Sequence, residues 1–309
     1  MKVIFFGNTS FGVPTLEKLN KSEIKIMAAV TNNDVHKSRK KIIKTPIKSW
    51  AEQNSIKLIQ QDNLNDINFI KNLKSLNADF FIVIAYKILP KQIFSIPGHG
   101  TMNLHGSLLP KYRGAAPIQR SILNGDEFTG VSTFIIDKNI DTGNVILQKK
   151  ISIRDKDFGQ IHDELSKIGA SLVINSIDHI VQKKPLIEQD GGYTYAPKIK
   201  KDETQINWHS SSNNIINLIR AFSPIPGAFS YLNEKRVRIY AASKFLDFEN
   251  SLAPGEILII NKKKLLIGSI DYPIEIKQLQ LEGKTIMDTA NFINGYKSIL
   301  INESKFKRR

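Results

Sequence analysis

The feature that narrows the fold most is a set of runs, early in the chain, that are apolar on both faces of a strand. "KVIFFG" (residues 2–7), "EIKIMAAVTN" (23–32) and "DFFIVIAY" (79–86) leave few positions for a solvent-facing side chain. Strands of that kind are buried on both sides, as in a parallel sheet covered by helices. The segments between them supply the helices. "FGVPTLEKLN" places Val13, Leu16 and Leu19 on one face, and "DINFIKNLKSLN" is also helical. Such alternation predicts βαβ units. "IKLIQ" (56–60), "VSTFIID" (131–137) and "VILQKKISI" (145–153) read as further strands. Residues 158–182 form one long helix, with Ile161, Leu165, Ile168 and Leu172 at helical spacing. The fold class expected is α/β, with a Rossmann-like parallel sheet.

After residue 206 the pattern changes. "WHSSSNNIINLIRAF" is a helix, and "RVRIYAAS", "GEILII", "KLLIGSI" and "PIEIKQLQLEG" follow as closely spaced strands. Strands with little helix between them predict a small antiparallel, OB-like β-barrel. The intervening "PLIEQDGGYTYAPKIKKDETQ" has neither period, and its Pro, Gly-Gly and Lys content marks a connection. The expected organisation is an α/β domain over residues 1–186, a linker over 187–205 and a barrel domain over 206–309. The terminal "KFKRR" is expected to be frayed and solvated.

Several chemistries are disfavoured at once. The chain has 309 residues and no cysteine, so disulfides and thiolate catalysis are excluded and a cytoplasmic location is expected. No apolar run approaches the length of a bilayer span, and "MKVIFFGNTSFG" is interrupted too soon for a secretory signal, so no membrane role is expected. No G-x-G-x-x-G follows the first strand, no P-loop occurs, and the six scattered histidines show no metal-ligand spacing. The formal net charge of +15 points to a polyanionic partner, although a chain this rich in Lys, Asn and Ile carries part of that excess as compositional drift.

The chemistry concentrates in "MNLHGSLLPKYRGAAPIQR" (102–120). If residues 102–106 are a strand, Asn103 and His105 share a face, because side chains alternate with period two. Open α/β sheets bind ligands beyond the carboxyl ends of their strands. An amide and an imidazole there can hold a carbonyl that is becoming an oxyanion: Asn donates, and His donates or passes a proton. The bland alternatives are an Asn bonded to its own turn and a His satisfied structurally. Asp137 and Asp141, in "IDKNIDTGNVIL" (136–147), are candidates to orient His105. The single "DTG" rules against an aspartic-protease pair. Gly114, Ala115 and Ala116 are small enough for a close approach. Pro117 suits the first turn of a helix and Gly125 its end.

"NLHGSLLPKYRGAAPIQRSILNGD" (103–126) with "DTG" (141–143) resembles the signature of the folate-dependent formyltransferases. "FFGNTSFGVPTLEKL", "GGYTYAPKI" and "INWHSSSNNIINLIRAFSPIPGAF" extend the resemblance, in order, to the branch that formylates methionyl-tRNA. It implies 10-formyltetrahydrofolate as donor, the free α-amine of initiator methionyl-tRNA as acceptor, and no metal. It further implies that Asn103 and His105 stabilise the tetrahedral intermediate, that Asp141 holds His105 and assists proton transfer, and that Ser107, Leu108, Leu109 and Pro110 lie against the folate. The basic stretch "HKSRKKIIKTPIK" (36–48), which reads as a loop, would through Arg39, Lys40 and Lys41 reach the acceptor stem, and the barrel the tRNA body; a monomer is expected. The alternatives are a formyltransferase for a small amine, such as glycinamide ribonucleotide or an amino sugar, and a non-catalytic RNA-binding relative. Departures from the family pattern are a glycine-free basic segment, "AYKILP" (85–90) with Lys87 where glycine is usual, and Asn144 where an acidic residue is common.

Overall fold

A computed structural model describes residues 1–38, 41–247, 252–296, 300 and 305–307. Contacts divide the chain into two compact units. One comprises Met1–Pro117, Thr129–Ser152 and His162–Pro197; the other comprises Ile118–Phe128, Ile153–Ile161 and Lys198–Arg309.

The strands of the first unit are β1 (Lys2–Gly7), β2 (Lys25–Thr31), β3 (Val35–Ser38), β4 (Lys41–Ile43), β5 (Leu58–Gln60), β6 (Phe80–Ile84), β7 (Thr101–His105), β8 (Arg113–Gly114), β9 (Phe128–Ile135), β10 (Val145–Ser152) and β11 (Tyr195–Ala196). The helices in this stretch of chain are α1 (Val13–Asn20), α2 (Pro46–Gln53), α3 (Ile67–Ser75), α4 (Lys91–Phe94), α5 (Pro117–Leu123) and α6 (Phe158–Val181). The main sheet has seven strands in the order β10-β9-β7-β6-β1-β2-β5. β1, β2, β5, β6 and β7 run parallel, and β9 is antiparallel to β7. The double-sided apolar runs do what their composition requires: every residue of β6 is buried, and Ile4, Phe5 and Phe6 of β1 are 0% exposed. Each such aliphatic or aromatic side chain contributes roughly 1.5–3 kcal/mol by leaving water. Leu16 and Leu19 of α1 and Ile161 and Leu165 of α6 are buried, as their spacing predicts.

The topology locates a crevice. From β1 the chain moves outward through β2 to β5, then returns to β6 on the other side of β1. Ligands bind where the winding reverses in this way. The loops that flank the reversal begin at Asn8 after β1 and at Ala85 after β6, and β7 lies beside β6.

The second unit contains α7 (Ser212–Phe222) and α8 (Thr289–Gly295), with strands β12 (Ala228–Leu232), β13 (Lys235–Lys244), β14 (Ile257–Ile260), β15 (Lys264–Ile267), β16 (Ile274–Leu281) and β17 (Met287–Asp288). The antiparallel order is β12-β13-β16-β15-β14, with β17 on β16. Trp208, Ile219, Ile239, Leu265 and Phe292 form its core.

Two expectations meet a different structure. The "KFKRR" tail is not free at its start. Lys307 bridges Tyr231 on β12, Lys305 bridges Glu256 just before β14, and Phe306 is 4% exposed with its ring 5.8 Å from that of Trp208. The buried Phe306 ring and backbone hydrogen bonds to Tyr231 and Gly255 seat the segment across both edges of the sheet. The basic segment expected to be a loop forms the β3–β4 hairpin, with Val35 opposite Ile43. The expected linker is ordered on either side of Pro197: Ala196 pairs with Gly114 in the first unit, and Asp202–Thr204 form a 3₁₀ turn in the second.

Candidate active site

β7 carries the two groups the sequence singles out. Asn103 stands opposite Val83 on β6 and Phe134 on β9, and His105 opposite Ser132. Both side chains project on one face at the carboxyl end of the strand. Among the described residues the Asn103 side-chain amide has no hydrogen-bond partner, and the residue is partly exposed. Its N–H groups are therefore free to be spent on a ligand. His105 is 6% exposed and lies edge-on to Phe134 at 6.5 Å.

The two imidazole nitrogens have different surroundings. Nε2 lies 2.8 Å from the carbonyl oxygen of Tyr112. A carbonyl only accepts, so Nε2 carries the proton, and Nδ1 is bare in the neutral ring. Nδ1 faces Asp141 Oδ2 at 3.6 Å. The same oxygen accepts the Gly114 N–H at 2.8 Å. Asp137 is excluded from this role, because its carboxylate accepts from Thr142 Oγ1 and the Asn139 N–H and so caps its own turn. Asp141 reaches inward with a left-handed backbone, φ 53°. Gly143 completes the turn because a Cβ there would run into the Ile135 carbonyl oxygen.

The loop between His105 and α5 is braced from within. Ser107 is fully buried and donates to the Lys111 carbonyl at 2.6 Å. Ser132 donates to the Ser107 carbonyl and accepts the Leu109 N–H, and Gln148 donates to the Leu109 carbonyl. Of the four residues expected to line the folate, Ser107 and Leu109 are therefore buried behind the surface, and Leu108 and Pro110 are partly exposed.

Gln189, inside the expected linker, was not singled out by the sequence. Its Oε1 accepts from Arg113 Nε at 3.0 Å and Nη2 at 2.8 Å. Its Nε2 donates to the carbonyls of Asp141 at 3.1 Å and Gly143 at 2.7 Å. One amide thus ties the loop that holds His105 to the turn that carries Asp141. The unpatterned chain around it offers no periodic signal, and its partners lie far away in sequence.

Lys87 lies in the loop after β6. Its ammonium contacts Asp62 Oδ1 at 2.9 Å, and that hydrogen bond holds the Asp62 carboxyl below its ordinary range. Ala85, at the start of the same loop, has φ 48°. Arg39 and Lys40 lie outside the described residues; Lys41 pairs through its backbone with Ser38 at the end of the hairpin. Among the described residues no cluster of His, Asp and Glu could hold a metal ion. Among the same residues no helix is long and apolar enough to cross a membrane.

The second unit has a separate basic feature. A cavity of about 360 Å³ is lined by Lys200, Lys201, Arg236, Arg238, Phe229 and Gln119, among others. Arg236 stacks over Phe229 at 5.7 Å, and its buried Nε has no hydrogen-bond partner among the described residues.

Family comparisons match the whole arrangement. The formyl transferase model matches residues 1–177, and the formyl transferase C-terminal domain model matches residues 198–297. A methionyl-tRNA formyltransferase of Thermodesulfovibrio yellowstonii is 46% identical over 308 residues, 97% of each chain. Among solved structures, HypX from Aquifex aeolicus in complex with tetrahydrofolic acid superposes with a TM-score of 0.68 at 15% identity, over 100% of this chain and 51% of that one. Methionyl-tRNA formyltransferase from Clostridium thermocellum superposes with a TM-score of 0.58 at 19% identity, over 79% and 93%. The structural likenesses bear on the fold, whereas the sequence match runs nearly the full length of both chains: this chain belongs to the methionyl-tRNA formyltransferase family.

Proposed function

We propose that the protein transfers the formyl group of 10-formyltetrahydrofolate to the α-amino group of initiator methionyl-tRNA, preparing it for translation initiation. The observation that carries this reading is the approach of His105 Nδ1 to Asp141 at the end of β7, beside the free amide of Asn103, in a chain so closely related to methionyl-tRNA formyltransferases. The donor set fits an acyl transfer: an uncommitted amide, a half-committed imidazole and a carboxylate.

When bound, the folate supplies an acyl carbon open to attack by an amine. Asn103 donates its amide N–H to the formyl oxygen as negative charge develops there. The amine nitrogen bonds to the formyl carbon, and His105 accepts the amine's proton at Nδ1, because Nε2 is already engaged by Tyr112; the bond from that carbon to N10 of the folate then breaks, and His105 returns the proton to N10, which leaves as tetrahydrofolate. The resulting imidazolium faces Asp141, which stabilises it and keeps the ring in place. Leu108 and Pro110 give the folate an apolar wall, with Ser107 and Leu109 buried behind them. Residues 1–186 act as the catalytic part and residues 206–309 as the part that grips the tRNA body, with 187–205 between them. Arg39, Lys40 and Lys41 neutralise phosphates of the acceptor stem, and the basic cavity around Arg236 adds charge on the barrel side. The enzyme acts as a monomer in the cytoplasm.

The test is formyl transfer by the purified protein to charged initiator tRNA, set against glycinamide ribonucleotide and an amino sugar nucleotide. Transfer to the tRNA is expected. Transfer to a small amine alone overturns the proposal, and tight tRNA binding without transfer points to a non-catalytic relative.

A further inference from the structure

Beside the His105 loop, the first unit displays two largely exposed aromatic side chains. Tyr193 and Tyr195 are 53% and 69% exposed. They stand two residues apart on an extended segment, so both project to one side. Their rings lie 5.5 Å apart, edge to face. Neither hydroxyl has a hydrogen-bond partner among the described residues. The Arg113 guanidinium sits 5.1 Å from the Tyr193 ring centre, and Gln189 holds it there. Exposed paired tyrosines on a braced backbone are a binding surface in search of a flat partner.

The backbone under the pair is joined directly to the catalytic loop. Tyr195 pairs with Arg113 and Ala196 with Gly114. The Arg113 N–H donates to the Thr194 carbonyl at 2.8 Å, and the Tyr112 N–H donates to Thr194 Oγ1 at 2.8 Å. Tyr112 is the residue whose carbonyl fixes His105. Adding one strand spacing, one residue step and one hydrogen bond puts the backbone that carries the pair on the order of 10 Å from the imidazole. Nucleotides stack at ~3.4 Å intervals, so two or three of them cover that gap.

We infer that Tyr193 and Tyr195 form a stacking platform for the unpaired 3′-terminal nucleotides of the acceptor tRNA, holding them while the aminoacyl group reaches His105. This rests on the tRNA reading above. Nucleobases fit better than the folate ring system for two reasons. The platform is open to solvent rather than enclosed, and the chain's +15 charge favours a polyanion that arrives along the surface. The free hydroxyls are placed to bond ribose or phosphate oxygens at its edge.

The experiment compares the full-length protein with the Tyr193→Ala/Tyr195→Ala and Tyr193→Phe/Tyr195→Phe double variants. Each is assayed for formylation of methionyl-tRNA at fixed salt and for direct binding of a short single-stranded oligonucleotide ending in CCA. Losing a stacked base costs roughly five- to a hundredfold, so the alanine variant should raise the KM for methionyl-tRNA and weaken oligonucleotide binding by that factor, with the KM for the folate donor unchanged. The phenylalanine variant should retain most of the affinity, because the rings remain. Unchanged acceptor KM and oligonucleotide affinity in the alanine variant overturn the platform. So does a loss that falls on the folate KM instead. If the unmodified protein formylates no tRNA, the functional reading has failed, and the oligonucleotide measurement decides the platform by itself.

Discussion

His105 Nδ1 and Asp141 Oδ2 face each other at 3.6 Å, while the other nitrogen of the same ring is bonded to the Tyr112 carbonyl at 2.8 Å. The gap exceeds a hydrogen bond. A proton gained at Nδ1 makes it a donor facing the carboxylate. Asp141→Asn tests this directly. The amide oxygen can still accept the Gly114 N–H, so the turn survives, but no charge remains to stabilise the imidazolium. Turnover at saturating folate and tRNA should fall by roughly a hundred- to ten-thousandfold, with little change in melting temperature. Retention of half the activity would remove Asp141 from the proton path.

His105→Ala should abolish turnover and leave tRNA affinity nearly intact, read by filter binding. Asn103→Ala should lower kcat by roughly a hundred- to a thousandfold, the usual loss of one oxyanion donor. Because the Asn103 side chain has no partner among the described residues, its removal should cost little stability. A large drop in melting temperature for Asn103→Ala would assign the residue a structural role.

These groups were legible in the sequence for a local reason. Asn103 and His105 sit two apart on one strand, so alternation alone places them together. The β1 and β6 strands were legible because they are apolar on both faces. The β3–β4 hairpin was not, since its charges hide a short ladder that pairs Val35 with Ile43. The seated tail left only a faint trace, the alternation Lys305–Phe306–Lys307. The choice between the two nitrogens of His105 could not be read at all, because it depends on the Tyr112 carbonyl, a backbone group that every residue possesses. Composition and spacing alone leave Asp137 and Asp141 equivalent, and only the resemblance of the "DTG" turn picks out Asp141; in the structure the direction of each side chain separates them.

Gln189 is the case where the signal was entirely non-local. Its amide joins Arg113 to the Asp141 turn across 76 and 48 residues of chain. Gln189→Leu keeps the volume and removes four hydrogen bonds, leaving a buried guanidinium and two carbonyls without this partner. Each group left buried and unsatisfied costs about 1–3 kcal/mol, so both melting temperature and kcat should fall. Gln189→Glu keeps the acceptor for Arg113 and loses the donors to Asp141 and Gly143. It should therefore recover stability more than kcat. Equal recovery of both would make Gln189 a purely structural brace.

The basic segment is testable by salt. Replacing Arg39, Lys40 and Lys41 by Ala should weaken tRNA use and flatten the dependence of log KM on log salt, by about 0.9 for each phosphate that is no longer neutralised. An unchanged slope would reduce these residues to solvated charge, with no part in gripping the acceptor stem.

Acid stability of the second unit should depend on Asp271. Burial alone would raise its carboxyl, but hydrogen bonds from the Ser212 backbone N–H, the Ser269 hydroxyl and the Ser212 hydroxyl outweigh it, moving it from its ordinary 3.8 to about 2. A carboxyl held down in the fold contributes stability that is complete above its unfolded value and fades as pH falls toward the folded one. It accepts from the backbone N–H and the hydroxyl of Ser212, the first residue of α7, and hydrogen bonds of this kind are worth about 1 kcal/mol each. Urea midpoints of Asp271→Asn should therefore fall below those of the unmodified protein at pH 7. The difference should hold down to about pH 4 and close between pH 4 and pH 2, the window set by 3.8 and about 2. A difference that stays constant across that window would mean the carboxylate's charge contributes nothing, and that the amide lost by its geometry alone.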